Sequence, residues 1–227
     1  MIEPLEVSYV QTNGDCALLI YVKPHPQRQQ RLQALANYIR SQKVPDIIEV
    51  VPASENLMLV FRQPTDVDDD IMEAVHIACE RSAKLNSSPQ LHEIPVCYDP
   101  RLATDIEAVM AHTSLSLETI IKRHTATIHQ VDFLGFLPGF AYLNGLHESL
   151  IIPRKSQPSP HTAPGSIAIA NRQTGIYTLN SPAGWHVIGR TPLPLIDWQK
   201  QPPILYQPGD QIQFTAMEYQ QFSNQHP

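Results

Sequence analysis

The sequence has few cysteines, no excess of basic residues and no long apolar run. Its three cysteines lie far apart and never form a CxxC pair, so we expect free thiols in a reducing compartment. The formal net charge of -6 argues against a dedicated nucleic-acid binder and against docking on an anionic membrane. No run approaches the roughly 18 apolar residues of a membrane span. The N-terminus MIEPLEVSYV lacks the basic start and apolar core of a secretory signal. These absences predict a cytoplasmic protein.

The sequence also lacks the common signatures of catalysis. It contains no Walker A loop, no GxGxxG, no kinase signature set, no GxSxG elbow and no HExxH motif. Its ten histidines are scattered without the spacing of metal ligands. No segment by itself therefore indicates nucleotide, metal or nucleophile chemistry.

The first 90 residues alternate between strand-like and helix-like patterns. Apolar residues recur with helical spacing from Leu32 to Ile39, which predicts a helix over 27–42. A second helix is predicted after the acidic stretch 66–70, since acids suit the positive end of a helix. Four strands are predicted around these helices, at 5–10, 15–22, 47–51 and 57–61. The order ββαββα predicts a small α/β sandwich domain over residues 1–88, with a polar linker at 84–90.

The rest of the chain differs in composition and in its predicted elements. A strand at 91–98 and two short helices come first, the second helix capped by Ser116. Eleven of the 21 prolines and eight of the nine glycines then lie between Gly135 and Gly209. That density excludes long helices and favours short strands joined by tight turns. The predicted strands are 166–170, 175–179, 185–188 and 211–215. We therefore predict a β-barrel or sandwich over 89–220, and we expect the glutamine-rich tail from Tyr219 to fray, with 221–227 flexible.

Four features are candidates for chemistry. The segment 131–143 places two glycines among four aromatics, as either a kinked core strand or an aromatic-walled pocket. Arg154 could bind a carboxylate or phosphate through its bidentate fork. The Gly165-Ser166 turn could offer donors to an anion, and a solvated loop with a tight turn is the alternative. His124, at the end of the second short helix, is either a satisfied half-buried histidine or a catalytic base.

The segment 181–192 carries a tryptophan, a histidine and an arginine within six positions. Trp185 and His186 should point to opposite faces of a strand, so only one of them lines a given cavity. Arg190 ends that strand and could face a ligand. The alternative is that Trp185 plugs a barrel and Arg190 pairs with a surface acid.

Several blocks of the sequence together resemble the family of 5-oxoprolinase B subunits. These blocks are GFLPGFAYLNGL (135–146), PR (153–154), APGSIAIANRQTGIY (163–177), SPAGWHVIGRTPLPLID (181–197) and QPGDQIQF (207–214). The same family includes the inhibitor of a sporulation histidine kinase and the first subunit of allophanate hydrolase-like proteins. The resemblance is strong over 90–215 and looser over the first 90 residues. The chain departs from the family pattern at Asp132, Ala163, Thr178 and Ala183.

The resemblance implies an α+β chain, with a small α/β N-terminal domain followed by a cyclophilin-like β-barrel domain. It implies a protein that works with 5-oxoprolinase subunits C and A and spends ATP with magnesium to convert 5-oxo-L-proline to L-glutamate. A histidine-kinase inhibitor, an allophanate or urea enzyme and a peptidyl-prolyl isomerase are the alternatives, the last by fold analogy alone.

We expect the active site to be shared with the C subunit, and two sets of residues follow as candidates. The catalytic candidates are His124, Arg154 and Arg190. The substrate-binding candidates are Phe136, Pro138, Gly139, Phe140, Tyr142, Gly165, Ser166, Gln173 and Trp185. We expect Phe136, Phe140, Tyr142 and Trp185 to wall a cavity near Arg154, Ser166 and Arg190.

Overall fold

The computed structural model of the chain describes residues 4–84 and 89–225. The chain divides into two compact units, residues 1–89 and 90–227. Most of the predicted linker, residues 85–88, lies outside the described residues. Within the described ranges, no helix combines the length and apolar character needed to cross a membrane.

The first unit is an antiparallel sheet with two helices. Its strands are β1 (Val7–Thr12), β2 (Ala17–Val22), β3 (Ile47–Pro52) and β4 (Asn56–Phe61), and they pair in the order β1-β2-β4-β3. Its helices are α1 (Arg28–Ser41) and α2 (Asp69–Ser82). The predicted order ββαββα is confirmed. Asp68 caps α2 by accepting a 2.8 Å hydrogen bond from the Ile71 amide, which explains why the acidic stretch opens that helix.

The second unit contains a larger mixed sheet. Its elements are β5 (Leu91–Val96), α3 (Ile106–Thr113), α4 (Leu117–Thr125), β6 (Ile128–Leu134), β7 (Ala141–Asn144), β8 (Ser159–Thr162), β9 (Ser166–Ala170), β10 (Gln173–Ile176), β11 (Ser181–Ala183), β12 (His186–Arg190), β13 (Gln211–Ala216) and α5 (Tyr219–Gln225). Seven strands pair in the order β12-β9-β10-β7-β6-β13-β5, and only β13 and β5 are parallel. Strands β8 and β11 form a separate two-stranded ribbon.

The seven-stranded sheet curls until its two edges touch at one end. Cys97, directly after β5, and Arg190, the last residue of β12, exchange two backbone hydrogen bonds of 2.8 and 2.9 Å. Gly189 permits this approach, because a Cβ atom there would lie 2.6 Å from a Val96 methyl group. The architecture is therefore α+β with a curled sheet. The curl brings the β6–β7 loop near the loops that connect the strands from β9 to β12.

The C-terminal tail is helical where the sequence predicted fraying. Tyr219–Gln225 form helix α5, and Phe222 is buried. The carbon at the centre of the Arg101 guanidinium lies 3.3 Å from the centroid of the Tyr219 ring, and that of Arg190 lies 5.8 Å from the centroid of the Phe222 ring. Tyr219 and Phe222 are three residues apart, which places both rings on one face of the helix. The prediction of fraying rested on the polar composition of the tail and did not consider this aromatic pair.

Candidate functional site

The main candidate site is an aromatic cavity of about 340 Å³ in the second unit, which we call the aromatic cavity. Its lining residues come from the β6–β7 loop, β7, the residues between β10 and β12, and the segment before β8. They are Phe136, Phe140, Tyr142, Arg154, Pro158, Tyr177, Pro182, Ala183, Gly184 and Trp185. The four aromatics predicted to wall one cavity do so, and Arg154 joins them.

Phe140 lies at the centre of the aromatic wall. Its ring centroid is 4.8 Å from that of Tyr142, 4.8 Å from that of Tyr177 and 5.8 Å from that of Trp185. All three contacts are edge-to-face, the geometry that the charge distribution of aromatic rings favours. Phe140 and Tyr177 are almost fully buried, so this wall is part of the packed core and is rigid.

Gly175 makes this packing possible. A Cβ atom built on Gly175 would lie 2.7 Å from Cζ of Phe140 and 2.8 Å from Cζ3 of Trp185. Only glycine fits, because the backbone of β10 runs directly beneath the two rings. The predictions from sequence did not include Gly175 or Tyr177 as site residues. An isolated glycine inside a strand often marks such a close approach and was the available signal.

The β6–β7 loop presents Phe136 at the rim of the cavity. The Leu137 amide donates to the Gly135 carbonyl at 2.8 Å, which closes a three-residue turn centred on Phe136. Phe136 has a φ of 68° and its side chain is 61% exposed. A large residue in the left-handed region stores strain of about 1–3 kcal/mol, and such strain is concentrated at functional sites.

Pro138 and Gly139 support this loop and do not line the cavity. The Pro138 carbonyl accepts a 2.6 Å hydrogen bond from the Thr178 hydroxyl. The Gly139 carbonyl accepts a 3.0 Å hydrogen bond from the buried Tyr206 hydroxyl. Gly139 itself has a φ of 74°, which favours glycine. The two predicted substrate-binding residues therefore fix the position of Phe136.

Arg154 is the uncompensated charge of the aromatic cavity. Its guanidinium carbon lies 5.9 Å from the centroid of the Trp185 ring, and it makes no ion pair or hydrogen bond with any residue of 4–84 or 89–225. Both sequence neighbours of Arg154 are anchored. The Pro153 carbonyl lies 3.1 Å from Nε2 of His186, and the Lys155 amide donates to the Gly184 carbonyl at 2.8 Å. The backbone is fixed while the cation is free to bind an anion.

The other groups near Arg154 are neutral or paired. The Lys155 ammonium is 2.8 Å from Oδ2 of Asp105 and 2.6 Å from the Ser159 hydroxyl. Burial raises the pKa of Tyr142, and burial with the neighbouring Tyr142 raises the pKa of Tyr177 to about 12. Both phenols are therefore protonated at neutral pH and can donate hydrogen bonds.

A second cavity, of about 430 Å³, lies at the other end of the β8–β11 ribbon, and we call it the Arg190 cavity. It is lined by Arg101, Leu102, Thr104, His161, Thr162, Ala163, Pro164, Ser166, Asn180, Val187 and Arg190. Ser166 and Arg190, which were expected near the aromatic cavity, line this second cavity and not the first. The two side chains lie together because Ser166 and Arg190 are cross-strand partners on β9 and β12.

The backbone amides of the Gly165-Ser166 turn are not available to a ligand. The Gly165 amide donates to the Tyr177 carbonyl at 2.7 Å, and the Ser166 amide donates to the Ala163 carbonyl at 3.2 Å. The predicted amide donors are therefore used within the fold. The alternative prediction for Arg190, a pairing with a surface acid, is also wrong among the described residues, because its Nε donates to the Pro164 carbonyl at 2.8 Å.

His124 and Gln173 lie outside both cavities. His124 is fully buried, with Nδ1 2.7 Å from the Tyr98 hydroxyl and Nε2 3.3 Å from the Thr174 hydroxyl. Burial, with a smaller effect of His129, lowers the pKa of His124 well below its usual range. A neutral histidine sealed in the core does not fit the predicted catalytic base. Gln173 begins β10 opposite Ala170 and is only partly buried.

Comparisons with known proteins agree with this architecture. Residues 8–206 match the family described as carboxyltransferase domain, subdomain C and D. The 5-oxoprolinase B subunit of Escherichia coli O157:H7 is 35% identical over 207 residues, which cover 90% of this chain and 94% of that protein. The 5-oxoprolinase B subunit of Bacillus subtilis (strain 168) is 34% identical over 221 residues, 92% of each chain.

Solved structures show the same fold, in some cases inside much longer chains. The TTHA0988 protein matches with a TM-score of 0.75 and 28% identity over 92% of this chain, which spans only 40% of that chain. The protein PH0987 from Pyrococcus horikoshii is 32% identical and covered in full, with a TM-score of 0.57. The K. lactis urea amidolyase, at 16% identity and a TM-score of 0.71, shows the fold alone. The chain therefore belongs to the carboxyltransferase C/D-subdomain family, together with the B subunits of 5-oxoprolinase.

Proposed function

We propose that this chain is the B subunit of a cytoplasmic, heteromeric, ATP-dependent 5-oxoprolinase, and that its aromatic cavity binds 5-oxo-L-proline. The observation that carries this proposal is the unpaired Arg154 guanidinium at the edge of a small aromatic cavity. A cavity of about 340 Å³ lies near the lower end of the range for small-molecule sites. Its mixture of apolar walls and one unpaired cation matches a small ring that carries a carboxylate.

The chemistry of the substrate corresponds to the lining of this cavity. The carboxylate of 5-oxoproline would pair with Arg154, which is the strongest hydrogen-bonding arrangement open to a guanidinium. The five-membered ring would pack against the aromatic wall around Trp185. The protonated phenols of Tyr142 and Tyr177 are the nearest candidates to donate to the lactam oxygen. The aromatic residues among these contacts are held by the core, and the backbone on both sides of Arg154 is anchored.

The rest of the reaction would require groups from other subunits. A lactam carbonyl is a poor electrophile, and transfer of a phosphoryl group from ATP to its oxygen would make the ring carbon reactive towards water. This chain contains no phosphate-binding loop of known signature. We therefore assign the remaining catalytic groups to the C and A subunits. The strained, exposed Phe136 at the cavity rim is suited to a protein–protein contact, because aromatic residues are enriched in interfaces.

The substitution Arg154→Gln in the reconstituted enzyme tests this assignment. Loss of a charged hydrogen bond to the carboxylate costs about 1.5–3 kcal/mol, so KM for 5-oxoproline should rise roughly 10-fold to 150-fold. The melting temperature should not change, because Arg154 makes no hydrogen bond within the described protein. Arg172→Gln is the matched control, since Arg172 is an exposed arginine in the β9–β10 turn and lines neither cavity.

The same assay also separates the alternative functions. An unchanged KM in Arg154→Gln would remove the carboxylate-binding role of the aromatic cavity. Allophanate and urea serve as competing substrates in the same assay. Turnover of allophanate or urea in place of 5-oxoproline would move the chain to the urea-type enzymes of its family.

A further inference from the structure

The Arg190 cavity contains a cation without a counter-ion. The Arg190 guanidinium makes no ion pair with any residue in the described ranges, and its Nε donates to the Pro164 carbonyl. Burial lowers the pKa of Arg190, and no carboxylate acts on it to offset that effect. An arginine remains charged even when its pKa falls moderately, so the cavity keeps a positive charge at neutral pH.

The second arginine of this cavity is already neutralised. Nε and Nη2 of Arg101 each lie 2.7 Å from a carboxylate oxygen of Asp99. The same guanidinium stacks on the Tyr219 ring at 3.3 Å from the ring centroid. No aspartate or glutamate lines the cavity among the residues that the structure describes. Arg190 therefore provides the net charge that a ligand would meet.

Two buried hydroxyl groups beside this cavity have no hydrogen-bond partner. Thr162, which lines the cavity, is 4% exposed, and Ser181 is 7% exposed. Neither Oγ1 of Thr162 nor Oγ of Ser181 has a partner in the described protein. The two residues are direct cross-strand partners on β8 and β11, so their side chains point to the same face of the ribbon. Buried polar groups without partners are rare, and a bound ligand or water is the usual reason for them.

The chemistry of these groups indicates an oxyanion. A guanidinium and a hydroxyl donor are groups that bind phosphate oxygens, and the exposed His161 and Asn180 add polar groups at the rim. A volume of about 430 Å³ exceeds that needed for phosphate alone and leaves room for an attached organic group. A carboxylate would use fewer of the donors.

We propose that the Arg190 cavity binds a phosphate group, with Arg190 as the cation and the hydroxyl of Thr162 as a hydrogen-bond donor. The phosphate could be free inorganic phosphate or the terminal phosphate of a nucleotide, which share this chemistry. The inference does not depend on 5-oxoproline as the substrate of the aromatic cavity. The two cavities flank the same ribbon, since Pro158 and Pro182 line the first and Thr162 and Asn180 line the second.

Calorimetric titration of the full chain with inorganic phosphate and, separately, with ADP and adenosine tests the proposal. The wild-type chain should bind phosphate or ADP with a Kd of about 1 mM or tighter. Arg190→Gln should weaken this binding at least tenfold, while Arg172→Gln should leave it unchanged. Tighter binding of ADP than of phosphate, with competition by adenosine, assigns the phosphate to a nucleotide. Equal affinities with no effect of adenosine assign it to free phosphate.

Thr162→Val provides a readout that does not depend on the folding of the arginine variant. It removes an unpartnered buried hydroxyl, so the melting temperature of the free chain should stay the same or rise while phosphate affinity falls severalfold. Saturable binding of neither phosphate nor ADP by the wild-type chain would overturn the proposal, as would equal affinity in Arg190→Gln or Thr162→Val. Arg154→Gln should bind phosphate normally, so failure here is distinguishable from failure of the proposed substrate site.

Discussion

Gly175→Ala tests whether the aromatic wall is packed as tightly as the structure shows. The new methyl group would lie 2.7 Å from Cζ of Phe140 and 2.8 Å from Cζ3 of Trp185. Both atoms belong to buried rings, which cannot move aside as the end of a flexible chain could. Overpacking of this kind lowers the free energy of unfolding by about 1–3 kcal/mol. The lower conformational entropy of the unfolded alanine variant offsets about 0.4–1 kcal/mol of this loss. The net loss in the free energy of unfolding should be about 1–2 kcal/mol.

Urea unfolding followed by tryptophan fluorescence measures this loss. Both tryptophans, Trp185 and Trp198, lie in the second unit, so the signal reports on that unit. With a urea dependence of about 2 kcal/mol per molar, the midpoint should fall by about 0.5–1 M. Gly135→Ala is the control, because its nearest neighbours would be at 3.8 Å. Equal midpoints for the two variants would refute the argument that Gly175 is required by the rings.

Two further predictions concern the second unit. Burial lowers the pKa of His124, His129 and His186, so the unfolded state takes up protons first as the pH falls below about 6.5. The free energy of unfolding should be highest above that pH, and it should fall in acid by up to about 1.4 kcal/mol per pH unit per histidine. A urea midpoint that stays the same between about pH 7 and about pH 5 would contradict this. Phe222→Ala should cost about 3 kcal/mol if α5 is packed, whereas the exposed Ser223→Ala should cost almost nothing; equal melting temperatures would show that the tail frays after all.

The elements that depend on local rules could be predicted from the sequence. Apolar spacing predicted α1 within a residue or two of its observed bounds. The N-cap role of Ser116 is confirmed, because its hydroxyl accepts from the Thr119 amide at 3.2 Å. Side chains alternate between the two faces of a strand, so Trp185 and His186 were predicted to face opposite sides. Trp185 lines the aromatic cavity, and His186 turns towards Pro153. Each of these features is decided within a few residues of the chain.

The features that could not be predicted depend on distant pairings. Pairing of β9 with β12 places Ser166 next to Arg190, and both line a cavity other than the aromatic one. His124 is buried because Phe214, 90 positions later, stacks on its ring with centroids 4.7 Å apart. The loop that carries Phe136 is held by hydrogen bonds from the Thr178 and Tyr206 hydroxyls to its Pro138 and Gly139 carbonyls. None of these partners is indicated by the local sequence around the residue concerned.

The most direct test of the central claim is glutamate release from 5-oxoproline in a reconstitution series with ATP and magnesium. The series compares this chain alone, this chain with the C subunit, and this chain with both the C and A subunits. Because the aromatic cavity supplies only substrate contacts, we predict no release by the chain alone and release by the full mixture. Glutamate formed by the purified chain alone would contradict the shared active site. No glutamate from the full mixture would contradict the assignment as the B subunit of a 5-oxoprolinase.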